Sequence, residues 1–202
     1  MLRSVFLVLS FMIAAAAPAS AHSGRMPAGP DSGIAIPNIT HGQMQVLYGF
    51  SAEVLDLAAR QPGADETFRR ILTHAHIQKT YCAMGLMPGA VSDEASPFNA
   101  CSHAYLAATQ DLLLRMAAMP SRSAAVDNLA RRIDGAMMEN GTALQLCQYS
   151  SDTFNTANIL KPDWLAALVH VPSLAGLAGL AFAMAAMVWM AGRALRTPLN
   201  PT

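Results

Sequence analysis

The chain has 202 residues, 13 basic and 13 acidic side chains, and a hydrophobic content of 53%. Its middle portion, residues 22–163, carries ten of the basic residues and all thirteen acidic ones. This mild acidity argues against a nucleic-acid partner, because phosphate binding relies on a basic patch. A portion of about 140 residues is long enough for one hydrophobic core.

The N-terminus predicts a secretory signal peptide over residues 1–21. Arg3 provides a positive start, an uncharged apolar run follows, and the small residues Ala19–Ala21 form a cleavage pattern. The apolar run is too short to cross a bilayer of about 30 Å. Cleavage would leave His22 as the first residue of an extended arm rich in Gly and Pro, residues 22–39.

The starts of the first two helical segments can be located in the sequence. Thr40 is the N-cap of the first segment and forms a capping box with Gln43, and the second segment begins near Asp65. Apolar residues at three- and four-residue spacing predict one buried face on each helix. These faces are Met44, Leu47, Phe50, Val54 and Ala58 in the first segment, and Phe68, Ile71, Leu72, Ala75 and Cys82 in the second.

The third and fourth helical segments are delimited in the same way. Ser96 is the predicted N-cap of the third, with Pro97 at its first helical position, and Ser121 or Ser123 caps the fourth. The predicted buried faces are Phe98, Cys101, Tyr105, Ala108, Leu112, Met116 and Met119 in the third, and Val126, Leu129, Ile133, Met137, Leu144 and Cys147 in the fourth. His103 falls outside the third face, so we expect it to point away from the core.

No alternating strand pattern competes with these segments, so the prediction is an all-α fold with an antiparallel four-helix bundle over residues 40–163, the outer domain. In such a bundle the end of the second helix, the start of the third and the end of the fourth lie at one pole. Cys82, Cys101 and Cys147 occupy these places. His41, at the start of the first helix, should lie at the same pole.

Two kinds of site could arise from these residues. Neighbouring cysteines in an oxidising compartment usually form a disulfide, and Cys82 with Cys101 is the favoured pair because it closes the loop between adjacent helices. Cys101 with Cys147 is the alternative pair. The other possibility is a metal site of His41, Cys82, Cys101 and Cys147, since thiolates and imidazole suit Zn(II) or Cu(I); His22 adds a further potential ligand.

A membrane helix is predicted near the C-terminus, within residues 164–192. Its uncharged part, Val171 to Ala191, extends about 31 Å as a helix, enough to cross a bilayer once. Arg193 and Arg196 follow it, so the positive-inside tendency places the tail, residues 193–202, in the cytoplasm. The signal peptide independently places the outer domain on the opposite side.

The small residues Ala175, Gly179 and Ala183 recur at every fourth position of this segment, which predicts a face on which another helix can pack closely. Arginine outnumbers lysine and alanine is abundant, as in GC-rich bacteria. The sequence therefore predicts a single-pass protein of the bacterial inner membrane, with its outer domain in the periplasm.

Motifs for catalysis are missing from the sequence: it contains no G-x-S-x-G, no phosphate-binding glycine loop and no C-x-x-C-H haem motif. We therefore expect no enzyme and no organic cofactor. The favoured hypothesis is a non-enzymatic accessory or scaffold subunit of an inner-membrane complex. Its partners would be the lipid bilayer and a membrane protein that contacts the transmembrane helix or the membrane-proximal end of the bundle. The alternative hypothesis is a periplasmic factor that binds or delivers copper or zinc.

Overall fold

The computed structural model describes residues 33–141 and 144–194. The predicted signal peptide, the start of the arm with His22, and residues 195–202 of the tail lie outside this range. Within it the chain is mostly helical. The helices are α1 (His41–Ala59), α2 (Glu66–Tyr81), α3 (Asn99–Ala118), α4 (Ala124–Asn140), α5 (Trp164–Ala167) and α6 (Val171–Ala194).

One small antiparallel sheet departs from the all-α prediction. Its strands are β1 (Ala35–Ile36) and β2 (Phe154–Asn155), with Ile36 opposite Phe154. Both of these apolar side chains are buried. Strands of two residues are too short to show an alternating pattern, which is why the sequence did not indicate them. The sheet fastens the predicted arm to the segment that leads to α5.

Three predicted helix starts are confirmed by their capping hydrogen bonds. The Gln43 N–H donates to Thr40 Oγ1 at 3.1 Å, and the Thr40 N–H donates to Gln43 Oε1 at 2.8 Å. The carboxylate of Asp65 accepts from the backbone N–H three residues later at 2.7 Å, at the start of α2. The Ser123 hydroxyl does the same for α4 at 3.4 Å.

The start of α3 differs from the prediction. The helix begins at Asn99, and Phe98 precedes it without any side-chain cap. Ser96 is not its N-cap, because residues 96–99 form a separate turn in which the Asn99 N–H donates to the Ser96 carbonyl at 3.0 Å.

The end of α4 also differs, and this affects a predicted site residue. The helix ends at Asn140 because Gly141 adopts the left-handed conformation, with φ at 61°, that terminates helices. Leu144 and Cys147 therefore do not extend the apolar face of this helix. Leu144 is instead 86% exposed.

The main hydrophobic core surrounds α3, which packs against α1, α2 and α4. Most of the α3 side chains are buried, including residues on both sides of the predicted apolar face. The largest side chains that are fully buried in this core include Leu47, Phe68, Ile71, Tyr105, Leu112 and Leu129.

A second, smaller cluster lies where α3 begins. Met87, Ala90, Phe98 and Ala167 are buried together, and the ring of Trp164 meets Phe98 edge-on at 5.3 Å. The helix that follows, α6, is long and apolar enough to cross a membrane over Val171–Arg193, with a mean hydropathy of 1.9.

Candidate metal centre

The structure brings together two histidines and one cysteine from three separate segments. His41 is the first residue of α1, His103 lies in the first turns of α3, and Cys147 lies in the segment after α4. The ligand atoms of these three residues all lie within 4.8 Å of one another. They form the only such group with three or more potential ligands among the residues that the structure describes.

The position of His41 follows from the local sequence. The capping box at Thr40 sets where α1 begins, so His41 occupies its first turn. The next residue, Gly42, donates its backbone N–H to the Gln145 carbonyl at 3.2 Å. This hydrogen bond connects the start of α1 to the segment that carries Cys147.

That segment, residues 144–150, is held by further hydrogen bonds. The Cys147 N–H donates to the Ser150 hydroxyl at 2.9 Å, and the Ser150 carbonyl accepts from the Asn38 side-chain amide at 2.7 Å. Cys147 thereby reaches the predicted pole without being helical. Its Sγ lies 3.1 Å from Nε2 of His103.

His103 corrects the sequence analysis, because it is fully buried rather than directed away from the core. Three helices surround α3, so the side chains beyond its main apolar face are covered as well. One sequence signal could have shown this: no charged residue occurs from Asn99 to Gln110. A helix without charge on any face is typically buried on all sides.

Burial determines the protonation state of His103. Removal from water, with a smaller contribution from the neighbouring His41, lowers the pKa of His103 from 6.5 to about 4. The imidazole is therefore neutral at pH 7, which is the form that binds a metal. Nδ1 of His41 and Nδ1 of His103 are buried and have no hydrogen-bond partner among the described residues.

The other two cysteines are not available as ligands. Cys82 and Cys101 are joined by a disulfide with their Cα atoms 5.5 Å apart, so the alternative pair of Cys101 with Cys147 does not form. Cys147 is a free thiol and is partly exposed. The metal set proposed from the sequence thus separates into a disulfide and two remaining residues, His41 and Cys147, which His103 joins.

Gln78 is a second buried polar residue that the sequence analysis missed. Its Nε2 lies 3.3 and 3.1 Å from the sulfurs of Cys82 and Cys101 and donates to the Leu160 carbonyl at 2.7 Å. Its Oε1 accepts from the Leu160 N–H at 3.1 Å. Gln78 therefore connects the disulfide to the segment between β2 and α5.

The fold and the site together define a mostly helical protein with one candidate membrane helix and a buried cluster of two imidazoles and one thiol. No family model, curated protein or solved structure matches this chain.

Proposed function

We propose that this protein is a membrane-anchored, extracytoplasmic metal-binding protein that holds copper, as Cu(I), between His41, His103 and Cys147. One observation carries the proposal: three nitrogen and sulfur ligands from distant parts of the chain converge within 4.8 Å. Two of them are buried histidines, one of which burial keeps neutral. The third, Cys147, is partly exposed, so it is where a metal would enter and leave.

The donor set favours copper over zinc. Thiolate and imidazole suit both metals, whereas magnesium and calcium prefer oxygen ligands. Two histidines and one cysteine in a trigonal arrangement are typical of copper sites. Zinc takes a fourth ligand, and this group contains no fourth His, Cys, Asp or Glu among the described residues, so water would have to supply it.

An antiparallel four-helix bundle is the proposed arrangement of α1–α4. The disulfide joins the end of α2 to the start of α3. The Gln61 amide donates to the Ser121 hydroxyl at 3.4 Å, which connects the end of α1 to the start of α4. Arg132 of α4 forms an ion pair with Glu53 of α1 at 2.9 Å. These contacts support neighbouring helices that run in opposite directions.

The proposed location is the periplasmic side of a bacterial inner membrane, with α6 crossing the bilayer. Support comes from the predicted signal peptide, from the apolar length of α6 and from Arg193 at its far end. The disulfide is consistent with an oxidising compartment, since cytosolic thiols are kept reduced.

Copper binding by the full chain tests this function. We expect purified protein with an intact disulfide to take one Cu(I) per chain in competition with a chromophoric Cu(I) chelator under anaerobic conditions. Cys147→Ser and His103→Gln should each lower the affinity by more than the roughly 10–100-fold that loss of an outer-shell hydrogen bond costs. His76→Gln, which alters an exposed histidine of α2, is the matched control and should bind like the wild type.

Two results would contradict the assignment to copper. If Cu(I) binds equally well to the Cys147→Ser variant, the metal does not occupy this cluster. If the wild type binds Zn(II) but not Cu(I), with the same loss in both site variants, the cluster is a zinc site.

A second role, as the accessory subunit of a membrane complex, is favoured by the surface of α6. Ala175, Gly179 and Ala183 are all exposed, and a Cβ added at Gly179 would meet no described residue outside its own helix within 4 Å. We expect a membrane protein to copurify with the chain from native membranes in mild detergent, and Gly179→Leu to reduce its recovery. Gly192→Leu, on another face of the helix, is the control. Recovery of the chain alone as a monomer would contradict this role.

A further inference from the structure

The loop between α2 and α3 has an unusual composition for a surface loop. Its first eleven residues, Cys82–Ser92, contain no charged side chain. The disulfide between Cys82 and Cys101 closes the base of the loop. Leu86, near its tip, is 56% exposed although it is strongly apolar.

This loop lies alongside α6. A Cβ added at Gly176 would lie 2.6 Å from Cδ of Pro88, so the glycine allows the loop to touch the helix directly. Leu177 and Leu180 of α6 pack against the buried cluster that contains Met87 and Ala90 of the loop. The loop therefore contacts α6 well past its first turn.

Positions along α6 show how deep a contacting residue lies in the bilayer. At 1.5 Å per residue, Leu177 and Leu180 lie about 9 and about 14 Å along α6 from Val171, where the candidate span begins. The span of 23 residues is a few ångströms longer than a hydrocarbon core of about 30 Å requires. Even if the hydrocarbon starts one turn after Val171, both leucines are inside it. Pro88 of the loop lies against Gly176, about 8 Å along α6 and therefore also inside it. The loop accordingly cannot lie wholly above the bilayer.

The polar contacts of the loop lie near the start of α6, away from the apolar part of the helix. Asp93 accepts a hydrogen bond from Nε2 of His170 at 2.9 Å, just before α6 begins. His170 in turn is 2.8 Å from the hydroxyl of Ser173 through its Nδ1. The hydrogen bond to His170 lowers the pKa of Asp93. The charged end of the loop thus meets the polar end of the helix, and the apolar tip meets the apolar part.

Some backbone groups of the loop are hydrogen-bonded internally, which lowers the cost of removing them from water. The Leu86 N–H donates to the Ala83 carbonyl at 2.9 Å, and the Ala90 N–H donates to the Met87 carbonyl at 3.3 Å. The Asp93 N–H donates to the Gly89 carbonyl at 2.9 Å.

We infer that the loop Cys82–Ser92 inserts into the lipid leaflet on the side of the outer domain, beside α6, with Leu86 in contact with acyl chains. The outer domain thus binds the bilayer directly. A disulfide-closed apolar loop attaches it to the lipid, in addition to its covalent connection to α6. Trp164 is half-exposed beside Phe98, and tryptophan is enriched at membrane interfaces. This inference rests on the proposal that α6 spans the membrane.

Depth-dependent quenching tests it on the full chain. In a Cys147→Ser background, Leu86→Cys, Met184→Cys and Asn128→Cys variants are each labelled with a fluorophore without reductant, so that the native disulfide stays closed. The proteins are reconstituted in phosphatidylcholine vesicles with or without bromine on the acyl chains. We expect brominated lipid to quench the label at position 86 and at position 184, within α6. The label at position 128, in the first half of α4, should keep its emission.

Other results would contradict the inserted loop, and they show whether the proposed membrane span of α6 fails with it. Quenching at 184 but not at 86 would overturn the inserted loop and leave the membrane span intact. The absence of quenching at both positions would overturn the span, and the loop inference with it. Quenching at 128 as well as at 86 would show unspecific contact of the outer domain with lipid, which also contradicts insertion of this loop.

Discussion

Replacement of both Cys82 and Cys101 by alanine is expected to lower the free energy of unfolding by about 3 kcal/mol, the value that chain entropy assigns to a closed loop of this length. The two cysteines are separated by 19 positions in the sequence, and both are buried. The bond restricts the unfolded chain, so its removal stabilises the unfolded state rather than breaking many native contacts.

The same substitution should loosen the segment before α5. Gln78 loses both sulfur neighbours and keeps only its two hydrogen bonds to Leu160. A buried amide with fewer partners is destabilising. We therefore expect faster amide hydrogen exchange at Leu160 in the double variant than in the wild type.

Denaturation of the full chain in detergent, followed by the circular dichroism of its helices, measures the change in stability. Cys147→Ala removes the free thiol, leaves the disulfide closed and serves as the control. A reductant should destabilise the wild type and this control but have no effect on the double variant. Equal stability of the double variant and the control would show that the disulfide does not constrain the unfolded chain.

Acidification is expected to destabilise the metal-free protein between about pH 6.5 and pH 4, because His103 takes up its proton more readily when the chain is unfolded. The ordinary pKa of a histidine is 6.5, and the pKa of His103 in the folded protein is about 4. The contribution of neutral His103 to the free energy of unfolding is fully present above pH 6.5. It is lost as the pH falls towards the pKa that His103 has in the folded protein. The difference corresponds to about 3 kcal/mol over the whole window.

Other groups add to this loss or act elsewhere. Burial also lowers the pKa of His74, so that residue contributes with the same sign. The pKa of Asp93 is lowered from 3.8, and its contribution is lost only at more acid pH. The window between pH 6.5 and pH 4 therefore reports on His103 and His74.

The test compares the pH dependence of stability rather than its absolute value. The free energy of unfolding of metal-free protein, measured at several values from pH 7 to pH 4.5, should fall less steeply in His103→Gln than in the wild type. His76→Gln, at an exposed position, should leave the slope unchanged. An identical slope in His103→Gln and the wild type would mean that His103 is protonated equally in both states.

The helix starts at Thr40, Asp65 and Ser123 could be predicted from the sequence because each depends on a side chain that binds a backbone N–H three residues away. The predicted end of α4 was wrong because the stop signal at Gly141 was not taken into account. Gly141 in the left-handed conformation terminates the helix, but the apolar spacing of Leu144 and Cys147 continued past it and suggested a longer one. Periodicity alone does not show where hydrogen bonding stops.

The candidate metal centre was predicted only in part. His41 and Cys147 were placed at a common pole, and the structure brings them together. The apolar spacing of α3 predicts a single buried face, and His103 lies outside that face. Its burial depends on how many helices surround α3, and that number is a property of the assembled core rather than of the helix.

The sequence by itself determined the helical character of the chain, the capping box at Thr40, the favoured cysteine pair and the apolar segment of α6, because these depend on residues that are close in sequence or on composition. Only the tertiary structure decided that β1 pairs with β2, that His103 joins His41 and Cys147, and that the loop after α2 runs beside α6. Those contacts join residues many tens of positions apart. They form where side-chain shapes and hydrogen bonds fit in three dimensions, and the spacing within any one segment carries no record of them.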